Sequence, residues 1–423
     1  MANGFNKEER VAFDQMLEGF NDSLVMSKMV RKYNTDAQSM ERQSDIIWRP
    51  QPYINQTFSG MDQTGNFKDV TQLAVPATIG FQRSAPWQMD GKQLRDALQD
   101  NRLADGARQR LASDINLAIT NVASLQGSLV VKRTAAASGY DDVALMDALF
   151  TEQGVPSDGM RYGALTPRDY NTMAGNLAQR QTVAGKTLTA YEKAQLGDVA
   201  SFNTVKMDYP NRLTAAAGVT VTINGANQYY TPKATSTAST GESNNVDNRF
   251  QTIAITVTSG TVKVGDAFTI AGVNAVHHIT KQDTGQLKTF RVAAIVTGGG
   301  GSGTVQITPP IISATGGTAA ELQYQNVTAT PANGAAITWL NTATSGMNPF
   351  WHESSLEILP GRLAFPADSG ASVMRATTDS GIEVVMMKQF DINTGITKFR
   401  CDVLYGVVNL NTEMNGIILF NQV

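Results

Sequence analysis

Apolar positions change period several times along the chain, and each change marks an element. Between residues 8 and 32, Val11, Met16, Leu17, Phe20, Leu24, Val25 and Val30 recur at three- and four-residue steps among Glu8, Glu9, Glu18, Lys28 and Arg31, the pattern of an amphipathic helix. Two readings of that helix stay open: a terminal helix packed on its own domain, or an arm docked on a neighbour. Over 46–90 the periodicity lapses. Pro50, Pro52 and Pro76, with Ser59-Gly60 and Thr64-Gly65-Asn66, predict a long twisted hairpin with too little apolar alternation to hold a core of its own.

The strongest helical stripe runs over 92–125, where Leu94, Leu98, Ala107, Leu111, Ile115, Ile119 and Val122 share a face and Arg95, Asp96, Asp100, Arg102, Arg108, Arg110 and Asp114 fill the others. At 1.5 Å per residue such a helix is about 50 Å long. Gly106 weakens it by about 1 kcal/mol relative to Ala and marks a place to bend. Its step lies nearer four than 3.5, which favours packing on a sheet over a coiled coil. From 140 to 211 short helices alternate with loops. Thr166-Pro167-Arg168-Asp169 supplies a capping hydroxyl, a proline at the first helical position and a first-turn carboxylate, and Gly154 and Gly197 suit helix stops.

From about 212 to 347 the period becomes two. Ile253, Ile255 and Val257 alternate with Ala254, Thr256 and Thr258; Phe290, Val292, Ala294 and Val296 repeat this; Val305 and Ile307 resume it after the glycine run 298–303. Short strands with Gly turns predict a small barrel or sandwich, and the polar tract 236–245 predicts an exposed loop. After 348 a mixed segment opens with Phe350-Trp351. Strand alternation follows over 382–409 (Ile382, Val384, Met386; Phe399, Cys401, Val403), and the chain ends in an apolar strand at Ile417-Ile-Leu-Phe420.

Composition sharpens this into nested domains. The 212–347 stretch is rich in Thr and Gly and poor in charge, while both flanks are well charged, as expected for one domain inserted into another. With 423 residues there is ample material for two or three cores. A net charge of −3, from 34 Lys+Arg against 37 Asp+Glu, gives no electrostatic case for gripping nucleic acid. No apolar run approaches the ~20 residues needed to cross a bilayer, and the N-terminus lacks a signal-peptide pattern, so a soluble, cytosolic chain is expected. The single Cys401, on a predicted strand, is expected to be a buried reduced thiol rather than a nucleophile.

The candidate chemistry is thin. The glycine run 298–303 lacks the Lys-Ser/Thr of a phosphate loop. His277 and His278 are neighbours on a predicted strand and point to opposite faces, and His352 lies in another domain, so no metal site is expected. Asp141-Asp142 begins a helix, where carboxylates suit the macrodipole better than they suggest a catalytic pair. There is no nucleophile elbow or supported Ser/His/Asp set. The expectation is a protein with no enzymatic activity, no cofactor and no metal.

In order, the pieces resemble a known family. Tyr33…Ala37-Gln-Ser-Met40 running to Ile47-Trp48-Arg49-Pro50, Leu94-Arg95-Asp96, Gly127-Ser-Leu-Val-Val131 and Pro167-Arg-Asp-Tyr170 carry the likeness before the insert. Val246-Asp-Asn-Arg-Phe250 and Gly265-Asp266…Ile270-Ala-Gly272 carry it within, and Asn348-Pro-Phe-Trp351 and Tyr405-Gly406-Val407 beyond. The chain resembles the major capsid proteins of P-22-like short-tailed dsDNA bacteriophages. The resemblance implies an α+β fold of the HK-97 capsid type, with axial and peripheral domains, a long spine helix, an extended loop and an inserted all-β barrel domain.

The implied divisions are an N-terminal arm (1–48), an extended loop lying over a neighbouring subunit (49–89), a spine helix in the peripheral domain (90–135) and a first axial part (136–211). The insert (212–347), an axial return (348–381) and peripheral strands with the last strand (382–423) follow. The implied partners are further copies in pentamers and hexamers, a scaffolding protein and a portal protein, in a shell that encloses dsDNA without specific binding and touches no membrane. The implied site is a loop between capsomers at 236–249, with Glu242, Asp247 and Arg249 as its charges; the competing reading of Asp247 is a turn before the strand. Leu94, Leu98, Leu111, Ile115 and Ile119 are the expected spine packing. Two alternatives remain: a carbohydrate- or surface-binding β module using Trp339 and Tyr229-Tyr230, and a cargo-holding nanocompartment shell of the same fold.

Overall fold

A computed structural model describes residues 5–33, 46–52, 55, 57–99, 103–179, 190, 192–365 and 370–423. The Ala37–Met40 stretch of the resemblance and the Leu98 side chain lie outside the described residues. The chain forms two compact units, each assembled from three separated stretches. The first comprises Met1–Ile47, Ala77–Thr120 and Leu356–Val408; the second comprises Trp48–Pro76, Asn121–Ser355 and Asn409–Val423.

The first unit is built on a sheet in the order Arg31–Lys32, Leu356–Pro360, Ile396–Asn409, Glu383–Asp391, Ser372–Thr377, with Phe81–Asp90 also paired on Ile396–Asn409. Cross-strand rings fix that last register: Trp87 stacks on Phe399 and Phe81 on Tyr405, both at 5.5 Å. The 81–90 segment is therefore a strand of this sheet and not the return arm of the expected hairpin.

The N-terminal helix, Lys7–Ser23, buries Phe13, Met16 and Phe20 in the same unit. Glu9, itself buried, takes the Lys388 ammonium at 2.6 Å. The helix stops nine residues short of the expected end because Asn116 claims the chain there: its Nδ2 donates to Ser23 O (2.9 Å) and its Oδ1 accepts from Met26 N (3.4 Å). Val11, on the helix, and Val25, just past its end, are exposed.

The expected single spine is two helices, Gly91–Gln99 and Asp105–Gln126. A turn at Leu103-Ala104 precedes the second helix, next to Asp105 and Gly106, residue types that are weak helix formers and favour turns. Leu103 and Ala104 are buried. Leu111, Ile115 and Ile119 are fully buried on the second helix, whereas Leu94 on the first is half-buried.

In the second unit a six-stranded sheet runs Leu129–Lys132, Asn415–Leu419, Asn348–His352, Arg161–Leu165, Phe202–Lys206, Gly197–Val199. Three of these strands fall in the 140–211 stretch, where sequence periodicity predicts only helices and loops. Tyr140–Gln153 and Pro167–Ala178 are the helices found there. Thr166 caps the second, with its hydroxyl 2.7 Å from Asp169 Oδ2. Gly154 ends the first at φ +81°, but Gly197 opens a strand instead of ending a helix.

One face of the sheet (Leu129, Phe202, Phe350, Ile418) closes a core with Phe150, Met146 and Met173 of the helices. The other face (Val130, Ile417, Leu419) packs on Leu213, Ala267 and Met347.

The insert is a closed barrel of Val219–Ile223, Gln251–Ser259, Gly303–Thr308, Asp283–Ile295, Ala267–Val276 and Ala336–Trp339. Ile253, Ile255, Phe290, Val292, Val305 and Ile307 point into its core. The chain enters and leaves through a two-stranded neck, Arg212–Leu213 against Ser345–Gly346, next to the residues where composition changes. Leu356–Val408 belongs to the first unit and Asn409–Val423 to the second.

Candidate functional site

Two segments project from the second unit, and both are rooted on the insert. The first is the polar tract. Thr235–Thr237 and Ser243–Asn245 pair as an exposed hairpin whose tip is closed by Ala238 N to Glu242 O (2.8 Å) and Gly241 N to Ala238 O (2.9 Å). Its base is stapled by Asn248. Nδ2 donates to Lys233 O (2.9 Å) and Val246 O (3.0 Å), while Oδ1 accepts from Lys233 N (3.0 Å) and Tyr230 Oη (2.9 Å).

Of the three charges expected to face a neighbouring capsomer, only Glu242 is exposed at the tip. Asp247 takes a bidentate grip from Arg249, whose Nη1 donates to Asn409 O (2.8 Å), and Arg249 also lies over the Phe250 ring. Both charges hold the root of the hairpin in its own chain. Asp247 Oδ1 also accepts from Arg249 N (3.1 Å), the geometry of a turn before the Gln251–Ser259 strand.

The second segment is the loop that follows the strand Ile46–Pro50 and returns into Ala74–Thr78. Its stem rests on the insert of its own chain: Leu73 is buried with Ile312 and Tyr324, Tyr324 Oη donates to Thr71 O (2.8 Å), and Thr71 N donates to Gln323 Oε1 (3.2 Å). Ala74 forms a parallel bridge with Asp247. Farther out, Phe58, Met61, Phe67 and Val70 are exposed, and with Ala319 and Gln323 the loop encloses a cleft of about 510 Å³.

Three side chains of one barrel strand fasten the insert to its host sheet. Lys288 Nζ, fully buried, donates to Gln153 Oε1 (2.8 Å) and Glu413 Oε1 (2.5 Å). Thr289 Oγ1 donates to Ser128 O (3.0 Å). Arg291, also buried, donates to Ser124 O (2.6 Å) and Gly127 O (3.1 Å), satisfying carbonyls that the end of the Asp105–Gln126 helix leaves unpaired. Burial lowers the Arg291 pKa to about 10, against the pull of Asp266. Burial alone would push the Glu413 carboxyl up, but Lys288, His278 and the Asn326 amide outweigh it and hold it below its ordinary value. Burial brings His278 down to about 4 and Lys281 to about 8.

Sequence reading missed this fastening. Its one signal was the presence of Lys288 and Arg291 in an insert that is otherwise poor in charge.

The other candidates have structural partners. His277 Nδ1 accepts from Ile279 N and Thr280 N, and His352 sits between Asp158 and Ser354. Among the described residues no three His, Cys, Asp or Glu side chains gather as metal ligands. Cys401 is buried and its thiol is pushed up to about 12, mainly by that burial. Asp142 binds Arg133 at 2.7 Å and caps its helix by accepting from Ser138 N (2.6 Å). Trp339, a suggested sugar platform, is turned edge-on to Phe268 and donates its indole N–H to Gly218 O (2.8 Å). Tyr230 likewise packs on the Leu73 cluster.

Against known families, the P22 coat protein family (gene protein 5) matches residues 1–421. The chain belongs to the P22 coat protein family. It is thus a phage major capsid protein, a structural component of the virion shell that assembles with copies of itself. Its fold is the α+β capsid fold of HK-97 type with an inserted barrel, the I-domain. Similar solved structures include the I-domain of the CUS-3 coat protein, at 43% identity over 29% of this chain and 96% of that one (TM-score 0.23). A chain from Mycobacterium phage Che8 is 10% identical over 93% of this chain and 90% of that one (TM-score 0.43). The mature capsid of bacteriophage PhiM1 is 9% identical over 93% and 86% (TM-score 0.38). Among the described residues no helix is long and apolar enough to cross a membrane.

Proposed function

We propose that this capsid protein assembles around a scaffolding protein, in the host bacterial cytoplasm, into an icosahedral procapsid of pentamers and hexamers. A portal protein occupies one vertex, and the shell expands as dsDNA is packaged. The observation that carries the reading is the loop 57–70, which holds Phe58, Met61, Phe67 and Val70 in water although its stem is fixed on the insert. Apolar surface left exposed forgoes about 25 cal/mol per Å² until a partner covers it. Heterologous contacts of this kind, repeated around an axis, close into rings. The hairpin at 235–245 supplies a second contact, between capsomers, through Glu242 and its polar side chains. A net charge of −3 suits a wall that encloses DNA without adhering to it.

The test is co-expression with the scaffolding protein encoded by the same phage, followed by electron microscopy. Shells of uniform size are expected, and a persistent monomer would overturn the proposal. Deleting 236–245 should leave a folded monomer that assembles poorly; unchanged, equally heat-resistant shells would remove the hairpin from the scheme.

A further inference from the structure

The two projecting segments meet at one small cluster. On the loop side, Leu73 is buried against Ile312 and Tyr324, with the Tyr230 ring packed on the same group. Leu73 O accepts from Gln51 N (2.8 Å), closing the loop's stem. On the hairpin side, the Tyr230 hydroxyl donates to Asn248 Oδ1, and the Asn248 amide holds Lys233 and Val246, the two ends of the hairpin. A backbone bridge runs in parallel, from Ala74, next to Leu73, to Asp247, next to Asn248. Tyr230 is itself fixed on the barrel by its N–H to Ile311 O (2.7 Å). Loop stem and hairpin stem thus share Tyr230, whose ring serves one and whose hydroxyl serves the other.

We infer that the loop 57–73 and the hairpin 234–246 are coupled through Tyr230 and open or stay fixed together, so that loosening one loosens the other. The physical basis is that the Tyr230 ring packs in the loop-stem cluster while its hydroxyl bonds the amide that staples the hairpin stem. The hairpin strands are exposed throughout, and the described part of the loop beyond Val70 has its buried side chain only at Leu73. When local opening controls exchange, an amide's rate reports the free energy of that opening, and a loss of about 1.4 kcal/mol speeds it about tenfold.

The test is amide hydrogen exchange by mass spectrometry on the full-length, unassembled chain, so it does not depend on the assembly scheme. Leu73→Ala, which touches only the loop side, should speed exchange at Ala238, Gly241 and Val246 about tenfold. Asn248→Ala should do the same at Gln51 and Thr71. In a Tyr230→Phe background, which keeps the ring but removes the hydroxyl, Leu73→Ala should lose part of its effect on the hairpin, the Ala74–Asp247 bridge carrying the rest. Amides of the Gln251–Ser259 strand serve as the reference for an intact barrel, and Leu73→Val replaces Leu73→Ala if they lose protection. Hairpin exchange that ignores the Leu73 substitution, or responds equally with and without the Tyr230 hydroxyl, would overturn the coupling.

Discussion

The second unit contains two six-stranded sheets that reach burial by opposite routes. The barrel draws all its strands from 219–339, pairs every neighbour antiparallel and closes on itself, so that each strand has one dry face and one wetter face. The host sheet gathers strands from as far apart as Leu129–Lys132 and Asn415–Leu419. It is parallel at that pair and at Arg161–Leu165 with Phe202–Lys206, and it buries both faces, Ile418 toward one core and Ile417 toward the other. The barrel's hydrogen bonds are complete within the insert, whereas the host sheet is complete only after the chain has passed through the insert and returned. The barrel should therefore be the more independent of the two.

The sharpest way to break that contrast is Phe350→Ala. Phe350 lies 5.0 Å from the Phe150 ring and 6.1 Å from Phe202, and truncating such a core aromatic costs about 3–5 kcal/mol. Calorimetry with amide exchange should show the host transition falling while the barrel strands keep their protection. A barrel that melts in step would end the claim of independence.

Lys288→Met comes next, because it leaves the half-buried Glu413 without its cation, at a cost of about 1–3 kcal/mol. Adding Glu413→Gln should restore part of the loss in urea titrations. No restoration would mean the pair is not what joins insert to host.

A pH titration separates the same two regions more gently. In the unfolded chain His278 takes a proton below its ordinary 6.5, but in the folded chain it stays neutral down to about 4. The His278 contribution to stability is therefore full above pH 6.5 and is lost progressively as pH falls toward 4. Glu413, held below its ordinary 4.5, adds a further loss that begins as pH falls through 4.5. In His278→Gln the slope between pH 6.5 and 4 should flatten; an unchanged slope would place the titrating group elsewhere.

The smallest effect is expected at Gly154, where a host helix ends at φ +81° and an added Cβ would sit 2.9 Å from the His277 ring. Gly154→Ala should cost about 1–3 kcal/mol. Gly197→Ala, at φ +67° with open space around it, should cost less, by about the αL penalty alone. Equal losses in denaturant titrations would show that the His277 contact adds nothing.

The same contrast governs how much was legible beforehand. Ile253, Ile255, Phe290 and Val292 announce the barrel because alternate residues meet different media. Arg161–Leu165 and Phe202–Lys206 went unseen because the first is buried almost throughout and both are short, so no period of two develops. The spine reads as one helix because its apolar stripe resumes at Ala107 in step with Leu94 and Leu98, although a turn at Leu103-Ala104 precedes the second helix. Of the candidate site, the exposed polar tract and the turn at Asp247 could be read from residue type. The Lys288–Glu413 pair and the Tyr230–Asn248 link could not, since each joins residues that only the fold brings together.

By itself the sequence determined that a charge-poor β domain interrupts a helical, charged host, where the chain enters and leaves it, and that no catalytic or metal-binding set is spelled out. Those properties reside in composition and local period, which need no partner to be expressed. The tertiary structure alone decided that Asp247 and Arg249 hold the hairpin's root instead of reaching outward, that the 81–90 segment joins the first unit's sheet, and that the insert caps its host's spine helix through Arg291. The physical reason is desolvation: a buried charge or carbonyl must take whatever partner the packed chain places within reach, and that choice is not written in its neighbours along the sequence.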